Sequence, residues 1–151
     1  MSDRVRPPGW LKSFNKVLMI VLGLGLPLPG KEAPVVLTVP GRKSGKPRST
    51  PITPMHVDGK RYVVNSYPGA DWVSNVRAAA ESTLTQGRKT ERVRMVELAA
   101  DEARPVLRAF PDQVPAGVAL MKRVGLLTDG TPDELEGLVA RLPVFRIDPI
   151  T

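Results

Sequence analysis

Asp58-Gly59 constrains the fold of this chain more than any other stretch. The pair separates "RSTPITPMHV" (48–57) from "KRYVVNSY" (60–67), two runs rich in β-branched and aromatic residues. A two-residue hairpin turn needs positive φ at its centre, which Gly and Asp adopt at least cost, so the dipeptide predicts an antiparallel pair. The same pattern recurs along the chain. "VVLTV" (35–39) is closed by Pro40-Gly41, "STLTQG" and "TERVRMVELA" meet across Gly87-Arg88, and "PVFRID" (143–148) is the last β-rich run. Pro51 and Pro54 suit an irregular or edge strand, because proline has no N–H for a ladder. Asp71 is placed to cap a helix through "WVSNVRAAAE", Asp101 one through "DEARPVLRAF", and Thr131-Pro132-Asp133-Glu134 opens another. Strands joined by turns more often than by helices predict a mostly β (α+β) fold. About six antiparallel strands would form a small barrel with two to four short covering helices.

A chain of 151 residues fits one domain spanning 1–151. Residues 1–30 read as a Pro-rich leader followed by an apolar helix. The apolar run Val17–Leu26 is stopped by Pro27 and Pro29, well short of the roughly 20 residues that span a bilayer. Its simplest role is a helix covering one end of the domain. Lys12, Lys16 and Trp10 also permit residues 11–26 to contact a membrane surface, and a cleaved signal segment is the third alternative. With no cysteine there is no disulfide framework, and the composition fits the reducing cytoplasm, with peripheral contact at the inner face of the plasma membrane as the variant. One histidine, His56, cannot build a multi-histidine metal cage, so no metal site is expected. The glycine spacings of dinucleotide- and nucleotide-binding loops are missing, as are the nucleophile-elbow and zinc-protease motifs.

Twenty-two Lys and Arg against fifteen Asp and Glu leave a formal charge of +7, which favours anionic partners. The three Phe, two Tyr and two Trp are scattered, so no stacking platform for nucleic acid is expected. The charge concentrates in "PGRKSGKPRST" (40–50). Arg42, Lys43, Lys46 and Arg48 fall there with no acid between Glu32 and Asp58. Such a run is either a solvated turn or an anion site. In the second reading Gly41 and Gly45 relax the backbone so that N–H groups face outward. Arg42 and Arg48 offer planar forks for phosphate or carboxylate, and Lys43 and Lys46 act as point charges.

"GRKSGKPRSTPI", followed after the hairpin by "YVVNSYPGADWVSNVRAA", resembles the deazaflavin-dependent nitroreductase family of actinobacteria. The matching positions are Gly41 to Gly45, Arg48, Pro51-Ile52, Ser66, Gly69, Trp72 and Asn75-Val76, within residues 35–98. The resemblance implies a split β-barrel and the cofactor coenzyme F420, an 8-hydroxy-5-deazaflavin with a phosphodiester and oligoglutamate tail. It implies that Arg42, Lys43 and Arg48, with Gly45 and Lys46 in the same turn, hold that tail, and that Ser44, Thr50 and Pro51 line its path. Ser66, beside Tyr67, would stand next to the ring as the candidate catalytic residue, and Trp72 and Asn75 would fix the helix that closes the ring pocket. The expected activity is hydride transfer from the reduced cofactor to a small-molecule electron acceptor: a quinone, an enone or a nitro compound. Two departures from the family pattern, Tyr67 in place of a lysine and no tyrosine between Phe110 and Leu127, bear on the acceptor. The alternative is a lipid or fatty-acid carrier on the same barrel, suggested by the apolar run and by "VALMKRVGLL" (118–127).

If residues 11–26 only cover the barrel, the intact protein will ignore anionic liposomes and their deletion will lower solubility or Tm. Cosedimentation that falls with added salt and on deletion identifies a membrane contact instead.

Overall fold

The computed structural model describes residues 34–65 and 70–150. Strands β1 (Val35–Pro40), β2 (Pro47–Ile52), β3 (Met55–Val57) and β4 (Lys60–Val64) precede helix α1 (Asp71–Ala78). Strands β5 (Ser82–Gln86) and β6 (Lys89–Glu97) lead into helices α2 (Ala100–Gln113), α3 (Pro115–Arg123) and α4 (Pro132–Gly137), and β7 (Val144–Pro149) follows. The seven strands form one antiparallel sheet in the order β2-β1-β5-β6-β7-β4-β3. The expected apolar helix within residues 11–26 lies outside the described residues. Among the described residues no helix is long and apolar enough to cross a membrane.

The turn chemistry is as the sequence predicts. Asp58 and Gly59 take φ of 51° and 79°, and Val57 pairs directly with Lys60. Gly87 has φ 60° between paired Gln86 and Lys89. The run 48–57, read as one irregular strand, is two: Thr53-Pro54 interrupts it between β2 and β3, giving seven strands in place of about six. The two halves lie at opposite edges of the sheet, so the short link between them requires the sheet to curl.

Strand β6 supplies the corner. Its first half, Lys89 to Val93, pairs with β5, and its second half, Val93 to Glu97, pairs with β7. Val93, shared by both ladders, is fully buried. The curl encloses one core, built from Val35, Leu37, Val39, Ile52, Val63, Leu84, Val93, Phe145 and Ile147, with Val73 and Val76 of α1 closing it. A second core on the other face joins Val64 and Val144 to Met55, Leu107, Phe110, Met121 and Leu135 of the helical layer. Strands β4 and β7 are therefore covered on both faces, which is why they read as "VV" and "VF" without a polar alternate.

The helix starts differ from expectation at two of three places. Ala70 and Ala99 are the N-caps of α1 and α2, and neither offers a side-chain cap. Asp71 and Asp101 sit inside the first turn, where the positive end of the helix dipole favours a carboxylate without a capping bond. At α4 the expected cap is present: Thr131 Oγ1 accepts from the Glu134 N–H at 3.2 Å. The Glu134 carboxylate in turn accepts from the N–H groups of Thr128, Asp129 and Gly130 at 2.8, 3.0 and 2.7 Å. Those bonds, the one from Thr128 foremost, hold its carboxyl below the usual range. At the edge strand β3, Gln113 takes up the exposed backbone of His56. Its Oε1 accepts from the His56 N–H at 2.8 Å and its Nε2 donates to the His56 carbonyl at 2.6 Å, which blunts an edge open to pairing.

Leu37→Ala in the barrel core and Leu107→Ala in the helical layer should each lower stability by about 2–5 kcal/mol. Because β4 and β7 belong to both cores, fluorescence and far-UV dichroism should report one coincident denaturant transition for each variant.

Candidate functional site

The basic turn joins β1 to β2 at the end of the barrel that α1 covers. Gly45 has φ 72°, and its N–H donates to the Gly41 carbonyl at 2.9 Å. The Gly41 N–H donates to the Lys46 carbonyl at 2.8 Å, and the Lys46 N–H to Ser44 Oγ at 3.2 Å. A Cβ on Gly41 would lie 3.2–3.4 Å from Ser44 Oγ, the Lys46 carbonyl and Arg48 Cγ, so the turn closes tightly on that glycine. The N–H groups of Gly41, Gly45 and Lys46 thus shape the loop and do not face outward as the glycine spacing suggests.

Helix α1 is fixed at three points. Val73 and Val76 enter the barrel core, and the Trp72 ring meets Phe145 of β7 at 5.6 Å between centroids. At the far end Arg77 makes a two-point fork with Glu97 of β6, at 2.8 and 2.7 Å. The third point is the basic turn itself. Asn75, only 6% exposed, accepts through Oδ1 from the Arg42 N–H at 3.1 Å and from Arg42 Nη1 at 2.9 Å. Arg42 Nη2 lies 3.6 Å from Asp71. The acid-free neighbourhood of the sequence therefore acquires one carboxylate through the fold. Arg42, expected to hold a ligand anion, directs its fork into the protein.

Lys43, Lys46 and Arg48 are exposed, and among the described residues no ion pair neutralises them. Elsewhere arginines are matched to carboxylates: Arg92 with Glu81, Arg108 with Asp133 and Glu136, Arg146 with Asp148. At the opposite end of the barrel Arg61 forks onto Glu91 at 3.0 and 2.5 Å and holds its carboxyl below the usual range. This pair, from β4 and β6, has no signal in the sequence. Arg61 is thus neutralised within the protein, while Lys43, Lys46 and Arg48 of the basic turn have no ion pair among the described residues.

Strand β2 leads inward from the turn. Arg48, Thr50 and Ile52 stand opposite Val39, Leu37 and Val35, which belong to the barrel core, so these three share its face. Ser49 and Pro51 point to the other face, where Ser49 Oγ hydrogen-bonds Thr38 Oγ1 at 2.8 Å. Of the three residues expected to line a ligand path, Thr50 is thus on the face of Arg48, Pro51 is not, and Ser44 lies in the turn with its Oγ accepting from the Lys46 N–H. Ser66 and Tyr67 lie outside the described residues. On one side of them is Asn65, buried, with its N–H bonded to the Pro143 carbonyl; on the other is Ala70, the N-cap of α1. In "VALMKRVGLL", Met121 and Leu127 are packed in the helical layer, as are Phe110 and Val114 before it.

Residues 10–123 match the family model described as F420H(2)-dependent quinone reductase. Among solved structures, an F420-H2 dependent reductase (FDR-A) is 23% identical with a TM-score of 0.52, over 76% of this chain and 93% of that one. A domain-swapped dimer is 20% identical with a TM-score of 0.54, over 92% and 97%. A FAD-binding protein from Mesorhizobium loti is 15% identical with a TM-score of 0.50, over 97% and 94%. At these identities the likeness is one of fold: the curled sheet is a split barrel, as the resemblance implies. No curated protein matches the sequence.

Gly45→Ala should cost about 1–2 kcal/mol from left-handed strain alone, since nothing lies within 4 Å of the added Cβ. Gly45→Asn should cost less, because asparagine tolerates that region. Urea denaturation of the two variants separates backbone strain from steric clash.

Proposed function

The chain belongs to the F420H(2)-dependent quinone reductase family and is an oxidoreductase that uses coenzyme F420; from that premise we propose that it transfers a hydride from the reduced cofactor to a quinone, in the cytoplasm. Enones and nitro compounds form the wider class of acceptors. The observation that carries the reading is the set of three cations without ion pairs, Lys43, Lys46 and Arg48, at the α1 end of the barrel.

These residues fit the cofactor. Its phosphodiester and oligoglutamate tail is a polyanion, and a turn whose backbone donors are engaged internally offers it charge through flexible side chains. Lys43 and Lys46 act as point charges and Arg48 as a fork for carboxylate or phosphate. Thr50 continues the face of Arg48 into the barrel and offers a hydroxyl there. Trp72, half-buried against Phe145, and Val73 anchor α1 as an apolar cover that keeps water from the reacting atoms. When bound, the deazaflavin supplies the hydride, and the protein contributes binding, orientation and exclusion of water. Ser66 is the side chain we assign beside the ring. Quinone plus hydride plus one proton gives the hydroquinone.

Of the two apolar stretches that suggest a carrier, 118–127 packs Met121 and Leu127 into the helical core, with Val118 and Leu126 against them, and the run 17–26 lies outside the described residues.

Lys43→Ala combined with Arg48→Ala should weaken F420 binding by about 2–4 kcal/mol, at roughly 1.5–3 kcal/mol per charged hydrogen bond with non-additivity. Tm without cofactor should scarcely move. Titration followed by deazaflavin absorbance reads the affinity, and loss of the reduced cofactor on adding a quinone reads the activity. Unchanged affinity in the double variant would return the turn to a solubility role.

A further inference from the structure

We propose that Asn75 is a positioning residue for the anion-binding turn, acting through Arg42, and that this clasp ties the grip on an anionic tail to helix α1. The inference rests on the cofactor reading above and goes further in naming what holds the site in shape.

Asn75 is buried, neutral and already occupied. Its Oδ1 takes two donors from one residue, the Arg42 main-chain N–H at 3.1 Å and the Arg42 Nη1 at 2.9 Å. Its Oδ1 is therefore committed to Arg42 and not to a ligand. It fixes the backbone of the turn at its second residue and turns the Arg42 fork toward α1. An amide suits this place better than a carboxylate. Both would accept the two bonds, but a carboxylate would add a negative charge beside cations meant for anions. Asp71, the carboxylate near Arg42, stands farther off at 3.6 Å and its side chain is 64% exposed, where solvent screens it.

The consequence reaches Lys43, Lys46 and Arg48. The bonds from Gly41, Gly45 and Lys46 give the turn its internal shape but do not attach it to anything beyond itself and its strands. Attachment to α1 comes from Arg42 and Asn75. With it in place, the cations are presented from a fixed loop and less freedom is lost when a polyanion binds. Without it, Arg42 loses its buried acceptor and the loop must be ordered by the ligand. Because α1 also carries Trp72 against Phe145, the same clasp sets the distance between the tail-binding turn and the helix over the barrel.

The test compares two ligands: F420, and a deazaflavin that lacks the phosphate and glutamates. Dissociation constants are measured for wild type, Asn75→Ala, Arg42→Met and the double variant, together with Tm. Asn75→Ala should weaken F420 about tenfold, the worth of one well-made hydrogen bond, while the tail-less ligand changes by less than about twofold. The salt dependence of F420 binding should keep its slope in Asn75→Ala, since no cation is removed. Arg42→Met should shift the ratio of the two affinities the same way, and the double variant should be no weaker than the worse single one. Equal losses for both ligands would mark Asn75 as a mere brace of α1 and overturn the proposal. Additive losses in the double variant, or an unchanged ratio, would also overturn it. If Asn75→Ala lowers Tm steeply, Arg42→Met, which leaves Asn75 on α1 and keeps an unbranched side chain in the turn, still gives the ratio. A wild-type protein that binds neither ligand overturns the cofactor reading itself, whereas binding with an unmoved ratio overturns only the clasp.

Discussion

Strand β7 holds this fold together. Without it the sheet order falls into two pieces, β2-β1-β5-β6 and β4-β3, because β7 alone pairs with both β6 and β4. Its side chains also belong to both cores: Phe145 and Ile147 enter the barrel, and Val144 enters the helical layer. The hairpins β1-β2, β3-β4 and β5-β6 are local and can form early. The barrel closes only when a strand that follows three helices inserts between partners some fifty to eighty residues upstream, and such long-range pairing carries the largest loop-closure cost.

The functional end inherits its geometry from that insertion. Trp72 seats α1 on Phe145, a β7 residue, and Arg77 anchors the same helix to Glu97, which pairs with Phe145 across the β6-β7 ladder. With α1 seated, Asn75 meets Arg42 and the basic turn is held at the barrel end. A chain of contacts thus runs from the last strand to the cations: Phe145, Trp72, Asn75, Arg42. A ring contact forms the first link, helix α1 the second and two hydrogen bonds the third, which is how a turn acquires the precision of the sheet beneath it.

What the sequence made legible was local. Asp58-Gly59 and Gly87 announce their turns because the need for positive φ is written into the residue type, and Thr131 announces a helix start through its own hydroxyl. Asp71 misleads by one residue and Asp101 by two, since a carboxylate in the first helical turn is favoured by the dipole much as one at the cap is favoured by a bond. Pro54 was visible as an interruption, but that the interruption separates the two edges of a curled sheet depends on β6 pairing half with β5 and half with β7. The site was half legible for the same reason. A run of cations is a property of neighbouring residues, and the deazaflavin resemblance adds a spaced motif that gives the run its partner. That Arg42 is diverted to Asn75, 33 residues away, and that Arg61 finds Glu91, 30 residues away, are facts of tertiary structure with no periodic trace.

The distribution of ion pairs gives the last step. Surface pairs such as Arg92 with Glu81 contribute little individually to stability, so a protein gains little by forming them and loses little by leaving cations unpaired in an exposed turn. Unpaired cations matter for something else: each retains its full interaction with an incoming anion, whereas a paired one must first exchange a partner. Arg61, already matched by Glu91, is a cation of the second kind. At the α1 end Arg42 is held by the neutral amide of Asn75 with Asp71 3.6 Å away, while Lys43, Lys46 and Arg48 have no ion pair among the described residues. On that argument Lys43, Lys46 and Arg48 would meet an incoming anion at full strength, and Arg42 and Arg61 would not.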